Sequence, residues 1–367
     1  MREYLLVLLV AAAVTYLLTP LVRRLALGWG AMAEVRDRDV HAIPTPRLGG
    51  VAMFGGLAAA LLLASRLPFL SRTFDDDGEA LALLTGCTLI LLLGAIDDRW
   101  GLDAVTKLAG QVLAAGVMVL QGIQLLYLPV PRYGTLVLDA QQGVLLTILL
   151  IVLCVNAVNF VDGLDGLAAG ITGIAATAFF MYSYTLTYLH GIDRALLPTL
   201  VCAALAGMCL GFLPHNFSPA RVFMGDSGSM LIGLLLAVST ITLTGKIDPA
   251  PLSRADLVPA LLPLLLPLLV LAVPLVDLIM AVIRRTRAGR SPFAPDKQHL
   301  HHRLLEIGHS HARAVLIMYF WAALLAFGAV AVTFVDGPLL VIGVAATLAI
   351  LAFVVMNLPR LRAARRH

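Results

Sequence analysis

The feature that most constrains this chain is a succession of long apolar runs. A helix that crosses a bilayer needs about 17–25 mostly apolar residues. Eleven runs of that kind lie at 4–22, 48–66, 80–96, 104–122, 143–160, 166–189, 196–213, 228–244, 258–283, 313–334 and 338–358. With 60% hydrophobic and 13% charged residues, the 367-residue chain has more apolar surface than soluble domains could hide. The expected fold is an all-α polytopic membrane protein of about eleven transmembrane helices. No internal repeat or low-complexity linker divides residues 1–367, so one domain is expected.

The first run starts at Tyr4 with neither a basic leader nor a convincing cleavage site, and is expected to stay as a helix. The fourth is the most polar, with Lys107 and Gln111 in its first two turns. The ninth carries Pro259, Pro263, Pro267 and Pro274, which predicts a kinked or broken helix. Prolines, Gly134 and partial alternation over 125–139 predict a short hairpin at the membrane surface. Cys87, Cys154, Cys202 and Cys209 fall inside apolar runs and read as small hydrophobes, neither disulfides nor metal ligands.

Lys and Arg placement orients the spans. The loops after odd-numbered runs and the C-terminal tail collect nineteen basic residues, against seven on the other side. This makes the first side cytoplasmic and the N-terminus outside. The histidine- and arginine-rich loop 284–312 and the basic tail 359–367 then lie inside.

Ionisable residues beside apolar runs are costly and call for an explanation. Five polar groups stand out, and the topology gathers all of them at the cytoplasmic surface. HAIPTPRLGG, residues 41–50, has prolines that stiffen the approach to the second run and glycines that admit close contact; an ordinary helix entry would look similar. GAIDDRWGLDAVTK, residues 94–107, ends the third run on Asp97 and Asp98. Adjacent carboxylates suit a metal site or a general base, though a solvated turn also tolerates them. Lys107 follows, where it could meet a phosphate.

NAVNFVDGLDG, residues 156–166, repeats a polar residue every third position: Asn156, Asn159, Asp162 and Asp165. On a helix this is a slowly drifting stripe able to line one cavity wall. PHNFSPARVFMGDSGSMLIG, residues 214–233, puts Asp226 at the mouth of the eighth run. Free N–H groups at a helix start welcome phosphate, and a carboxylate there can hold Mg2+ against it or simply cap the helix. Phe223 offers a ring for stacking on a base. The loop RRTRAGRSPFAPDKQHLHHRLLEIGHSH, residues 284–311, clusters His299, His301 and His302 with Arg303. It has no Cys and no clean zinc-ligand spacing, and fits hydrogen bonding to anionic substrates better. Asp277, inside the ninth run, reads as a buried structural acid or a cavity wall, the structural reading being preferred.

Taken in order, these groups resemble the polyprenyl-phosphate N-acetylhexosamine-1-phosphate transferase superfamily over nearly the whole chain, NAVNFVDGLDG, FMGDSGS and HLHHR most specifically. The span count and the HLHHR form are more similar to the WecA/TagO-like branch than to the lipid I-forming translocase, which typically carries three consecutive histidines. The resemblance implies transfer of GlcNAc-1-phosphate from UDP-GlcNAc to undecaprenyl or decaprenyl phosphate, with UMP released and Mg2+ or Mn2+ required. By motif match, Asp226 would be the main metal ligand, with Asp97 as the second. Asp97 and Asp98 would fall at the acidic pair proposed as base or lipid-phosphate site. Asn159, Asp162 and Asp165 would line the nucleotide pocket, with Asn216 and Phe223 near uridine. His299, His301, His302 and Arg303 would approach the pyrophosphate or sugar, and Lys107 and Arg47 the phosphates. A homodimer in the plasma membrane, inhibition by tunicamycin-like nucleosides and no nucleic-acid partner are also implied.

Two other functions fit parts of the pattern. The same chemistry could take another UDP-HexNAc or UDP-MurNAc-pentapeptide as donor. A secondary transporter would account for the spans, but transporters place ionisable residues near the bilayer midplane and usually show repeated halves.

Overall fold

A computed structural model describes residues 1–32, 44–74, 78–130, 134–190, 195–244, 257–287, 310–335 and 338–364. The described residues form α-helices α1 (Arg2–Trp29), α2 (Gly49–Ala64), α3 (Glu79–Trp100), α4 (Ala104–Leu120), α5 (Ala140–Val161), α6 (Leu167–His190), α7 (Leu196–Asn216), α8 (Gly225–Thr244), α9 (Leu257–Arg287), α10 (His311–Phe334) and α11 (Pro338–Ala364). Each overlaps one apolar run, because a backbone in lipid must satisfy its polar groups internally and a helix does so within one segment. Seven of them (α1, α3, α5, α6, α7, α8 and α10) are long and apolar enough to cross a membrane. Shorter apolar helical stretches lie at Gly49–Ala64, Ala104–Leu120, Leu261–Ala272 and Pro338–Ala352. At 1.5 Å per residue, α2 reaches only about 24 Å, short of the hydrocarbon thickness.

Residues Tyr127–Val130 (β1) and Gly134–Val137 (β2) pair antiparallel, Tyr127 opposite Val137, as the hairpin expectation for 125–139 requires. Of the two outcomes expected for the ninth run, a kink or a break, the break does not occur. Residues Leu257–Arg287 run as one helix through all four prolines. Pro259, Pro263 and Pro267 recur every fourth residue, so the ladder bonds they remove lie on one face of the helix.

Helix α8 is the axis of the bundle. From Ser227 to Thr244 every residue is buried, and α2, α3, α5, α7 and α9 all pack on it. Two glycines let neighbouring backbones reach its first turn. A Cβ on Gly50 of α2 would sit 2.3 Å from the Gly228 nitrogen, and one on Gly94 of α3 would sit 2.4 Å from the Ser227 Cα. The periphery is apolar outward: Leu5, Leu9, Leu17, Leu21 and Leu25 of α1 are exposed, as lipid-facing side chains should be.

Candidate active site

The polar end of the bundle is assembled from the last turns of α3 and α5 and the first turns of α4 and α8. Helix α3 stops at Gly101, where φ is +69° and the N–H reaches back to the Asp97 carbonyl. Asp103 then caps α4, accepting from the Val105 and Thr106 amides at 3.0 and 3.1 Å. This tight reversal folds Lys107, one turn into α4, back over the end of α3. Its Nζ lies 3.0 Å from Asp97 Oδ2 and 2.9 Å from Asp226 Oδ2. The other oxygen of Asp97 accepts from the Leu102 amide at 2.6 Å. Asn159, from the last turn of α5, donates through Nδ2 to Asp226 Oδ1 and to Ser229 Oγ, the latter at 2.8 Å.

One lysine thus ties two carboxylates from different helices. A charge pair at 4 Å and an effective dielectric near 20 interacts by about 4 kcal/mol before desolvation, so the ammonium offsets the repulsion between acids held this close. Two facing carboxylates form an oxygen donor set suited to a hard divalent cation. Among the described residues no group of three or more His, Cys, Asp or Glu is placed to hold a metal. Mg2+ does not need one, since it is usually held by one or two carboxylates plus substrate phosphates and water.

Asp98 goes elsewhere. Consecutive helical residues point about 100° apart, and the Asp98 carboxylate turns into α8. There it accepts from the Asp226 amide at 2.8 Å, the Ser227 amide at 3.1 Å and the Ser227 hydroxyl at 2.7 Å. The N–H groups expected to receive phosphate therefore already have a carboxylate. Asp226 is not the cap of its own helix: its side chain faces Lys107 and Asn159.

The polar stripe of α5 spreads over three depths. Asn156, one turn below Asn159, donates to Gln111 Oε1 of α4 at 2.7 Å. Asp162 caps the end of α5 and is half-buried. Burial, with the Asp226 and Asp98 carboxylates nearby, pushes its pKa up to about 8, and Arg47 works against that rise. Asp165 lies beyond the helix and accepts from the Ala220 amide at 3.0 Å, so it holds the α7–α8 connection. Asn216 is buried and spends its amide on backbone, accepting from Gly166 N at 3.1 Å and donating to Val222 O at 3.0 Å. It joins the turn after α5 to the loop before α8.

The first polar group also closes on this end. Phe223 N donates to Pro46 O at 2.8 Å, Gly49 N to Phe223 O at 3.1 Å and Gly50 N to Met224 O at 3.0 Å. This backbone pairing sets Phe223, half-buried, beside Arg47. His299, His301, His302 and Arg303 lie outside the described residues.

Four contributors carried little or no signal in the sequence. Gln111 reads only as a blemish in an apolar run, although a buried amide there calls for a partner. Ser227 and Ser229 look like small residues at a helix start. Tyr319 of α10 donates its hydroxyl to the Gly166 carbonyl, and an aromatic residue in an apolar helix gives no hint of that.

Comparison with known proteins fits this geometry. The family described as Glycosyl transferase family 4 matches residues 80–244, the stretch from α3 through α8. A Mycolicibacterium smegmatis protein named decaprenyl-phosphate N-acetylglucosaminephosphotransferase is 51% identical over 367 residues, 99% of this chain and 90% of the relative. A Bacillus subtilis protein named as an undecaprenyl-phosphate N-acetylglucosaminyl 1-phosphate transferase is 32% identical over 311 residues, 85% of this chain and 80% of the relative. A Desulforudis audaxviator protein named phospho-N-acetylmuramoyl-pentapeptide-transferase is 31% identical over 340 residues, 85% of this chain and 93% of the relative. The matched stretch carries Asp97, Lys107, Asn159 and Asp226 together, and the similarity extends along nearly the whole chain. The chain therefore belongs to glycosyl transferase family 4, among the polyprenyl-phosphate N-acetylglucosamine-1-phosphate transferases.

Proposed function

We propose that this protein transfers GlcNAc-1-phosphate from UDP-GlcNAc to a polyprenyl phosphate, giving polyprenyl-pyrophosphoryl-GlcNAc and UMP. The observation that carries the proposal is Lys107 set between Asp97 and Asp226 at the mouth of the buried helix α8. Both substrates are anionic, so a site for their meeting must combine cationic charge with groups able to hold a divalent cation. The names of the relatives agree: two denote GlcNAc-phosphate transfer to a polyprenyl phosphate.

In the proposed reaction an oxygen of the lipid phosphate attacks the phosphorus that bears GlcNAc. The bond from that phosphorus to the bridging oxygen breaks, and UMP leaves with the electron pair. A phosphate oxyanion is already a competent nucleophile, which favours direct attack over a phospho-aspartate. Asp226 and Asp97 would hold Mg2+ or Mn2+, which when bound neutralises the diphosphate and eases departure of UMP. Lys107 would turn its ammonium to the phosphates, and Asn159 keeps the Asp226 carboxylate aimed. His299, His301, His302 and Arg303 would add cationic donors from their loop. Positioning and charge neutralisation then supply most of the acceleration, as in other phosphoryl transfers.

The same proposal includes eleven spans with the N-terminus outside and the site facing the cytoplasm, supported by nineteen basic residues on that side against seven. A homodimer and sensitivity to tunicamycin-like nucleosides belong with it.

The test is UMP release from UDP-GlcNAc by the purified protein with polyprenyl phosphate, with and without Mg2+, beside Asp226→Asn. Lipid- and metal-dependent release that the variant loses is expected. Release only from UDP-MurNAc-pentapeptide would correct the donor, and no release from any nucleotide sugar would sink the proposal.

A further inference from the structure

The two aspartates that end α3 are neighbours in sequence and opposites in use. Asp97 faces Lys107 across the site. Asp98 is only 5% exposed, and its two oxygens take three donors, two amides and one hydroxyl, all from Asp226 and Ser227. A carboxylate has about four lone-pair positions, so three are occupied by the start of α8.

The surrounding backbone is shaped for this contact. Gly225 has φ +69°, and a Cβ there would fall 2.4 Å from Asp98 Oδ1. Gly94, one turn before Asp98, lets α3 lie against Ser227. A negative charge at this place also complements the positive end of the α8 dipole. The residue whose amide Asp98 holds is Asp226, whose side chain meets Lys107 and Asn159. Asp226 is thereby fixed at its backbone by one neighbour and at its carboxylate by two others.

We infer that Asp98 is a positioning residue: it seats the first turn of α8 so that the Asp226 carboxylate faces Asp97, and it takes no proton in the reaction. This rests on the proposed transfer reaction only for its kinetic half, because the cation-binding half needs no substrate.

The experiment compares wild type, Asp98→Asn, Ser227→Ala and the double variant in detergent. Mn2+ binding is followed by electron paramagnetic resonance without substrates, and turnover is measured separately. Asp98→Asn leaves one of the two amides, of Asp226 or Ser227, without an acceptor and removes the charge. Loss of one or two such charge-assisted bonds should lower kcat about tenfold to a hundredfold, with a smaller change in KM for UDP-GlcNAc. Mn2+ affinity should fall several-fold in both single variants, and the double variant should be little worse than Asp98→Asn, since both changes break one contact. Wild-type Mn2+ affinity in Asp98→Asn, with turnover lost about a thousandfold or more, would make Asp98 the base and overturn the inference. Normal turnover and Mn2+ binding in both single variants would overturn it too. Should Asp98→Asn fail to fold, Ser227→Ala, which keeps the carboxylate, decides alone: unchanged Mn2+ affinity there counts against positioning. If the wild type transfers nothing, the functional proposal fails while the Mn2+ comparison still judges Asp98.

Discussion

The two ends of this helix bundle use the same device for different purposes. At one end Glu3 of α1 accepts from the Phe69 and Leu70 amides at 3.2 and 3.0 Å, holding the start of the short 3-10 turn Leu70–Phe74. At the other, Asp98 of α3 accepts from the first amides of α8. Each is a carboxylate supplied by a separate helix to backbone donors that lack a partner within their own element. What differs is the surroundings. Tyr4, beside Glu3, is packed edge-on against Phe69, Phe180 and Tyr184, and the end closes on itself. Around Asp98 stand Asp97, Lys107, Asn159 and Asp226, where two carboxylates share one ammonium and a further cation would complete the charge balance. A closed cap serves stability, whereas a cap beneath an open cluster aims a functional group.

The largest effect should come from the open end. Asp226→Asn removes a charge that meets Lys107 and would help hold the cation, and should cut turnover about a thousandfold. Chelating the divalent cation should cost the wild type as much and the variant almost nothing more. A variant that keeps full, chelator-sensitive turnover would place the cation elsewhere and undo the contrast between the ends.

Lys107→Met tests whether the ammonium also serves as a counter-ion. Turnover should fall about a hundredfold for want of a phosphate contact. Without Mg2+ the thermal stability should drop by about 2 kcal/mol, less than a fully buried pair would lose. Added Mg2+ should restore much of it, because a cation can replace the missing positive charge between Asp97 and Asp226. Melting curves with and without MgCl2 check this. A loss indifferent to Mg2+ would show that Lys107 and the cation do not share those carboxylates.

Gln111→Leu should act more mildly. Its amide meets Asn156 one helical turn below Lys107 and Asn159, so the pair sets the spacing of α4 and α5 without touching substrate. Turnover should fall about tenfold, with a stability loss of about 1 kcal/mol, because Asn156 loses its cross-helix acceptor and keeps only the Val152 carbonyl of its own helix. Stability lost without any change in turnover would confine the pair to packing.

Much of this could be foreseen from composition alone, and the reason is lipid. An apolar run in a membrane leaves a backbone little choice but helix, so the helices fall where the runs lie. The unbroken α9 is the instructive exception: prolines read as breakers in water, but four of them in an apolar helix do not end it. At the site, Asp97, Lys107, Asn159 and Asp226 stand out because charged and amide groups beside apolar runs are costly. What cannot be read from adjacency is direction. Asp97 and Asp98 look like one acidic pair, yet a helix turns them to different neighbours. Likewise the three-residue spacing of Asn156, Asn159, Asp162 and Asp165 hides that Asn156 ties helices together and Asp165 anchors a loop. Partners that are distant in sequence, such as Tyr319 for Gly166, leave no local pattern at all.

The smallest predicted effect carries the sharpest test of the contrast. Glu3→Ala removes the acceptor for Phe69 and Leu70 but leaves the aromatic cluster around Tyr4 intact. Loss of a cap typically costs about 1 kcal/mol, so a slightly lower melting temperature in detergent is expected. Turnover should stay within about twofold of wild type, because α2 carries no charge between that end and the site. Measured beside Ser227→Ala, which breaks the corresponding contact under Asp226, the pair separates a cap that only stabilises from one that also aims. Equal losses of turnover in the two variants would mean that the bundle transmits strain from end to end, and that the position of Asp226 depends on the whole packing of α2 against α8, with Asp98 as one contributor among many.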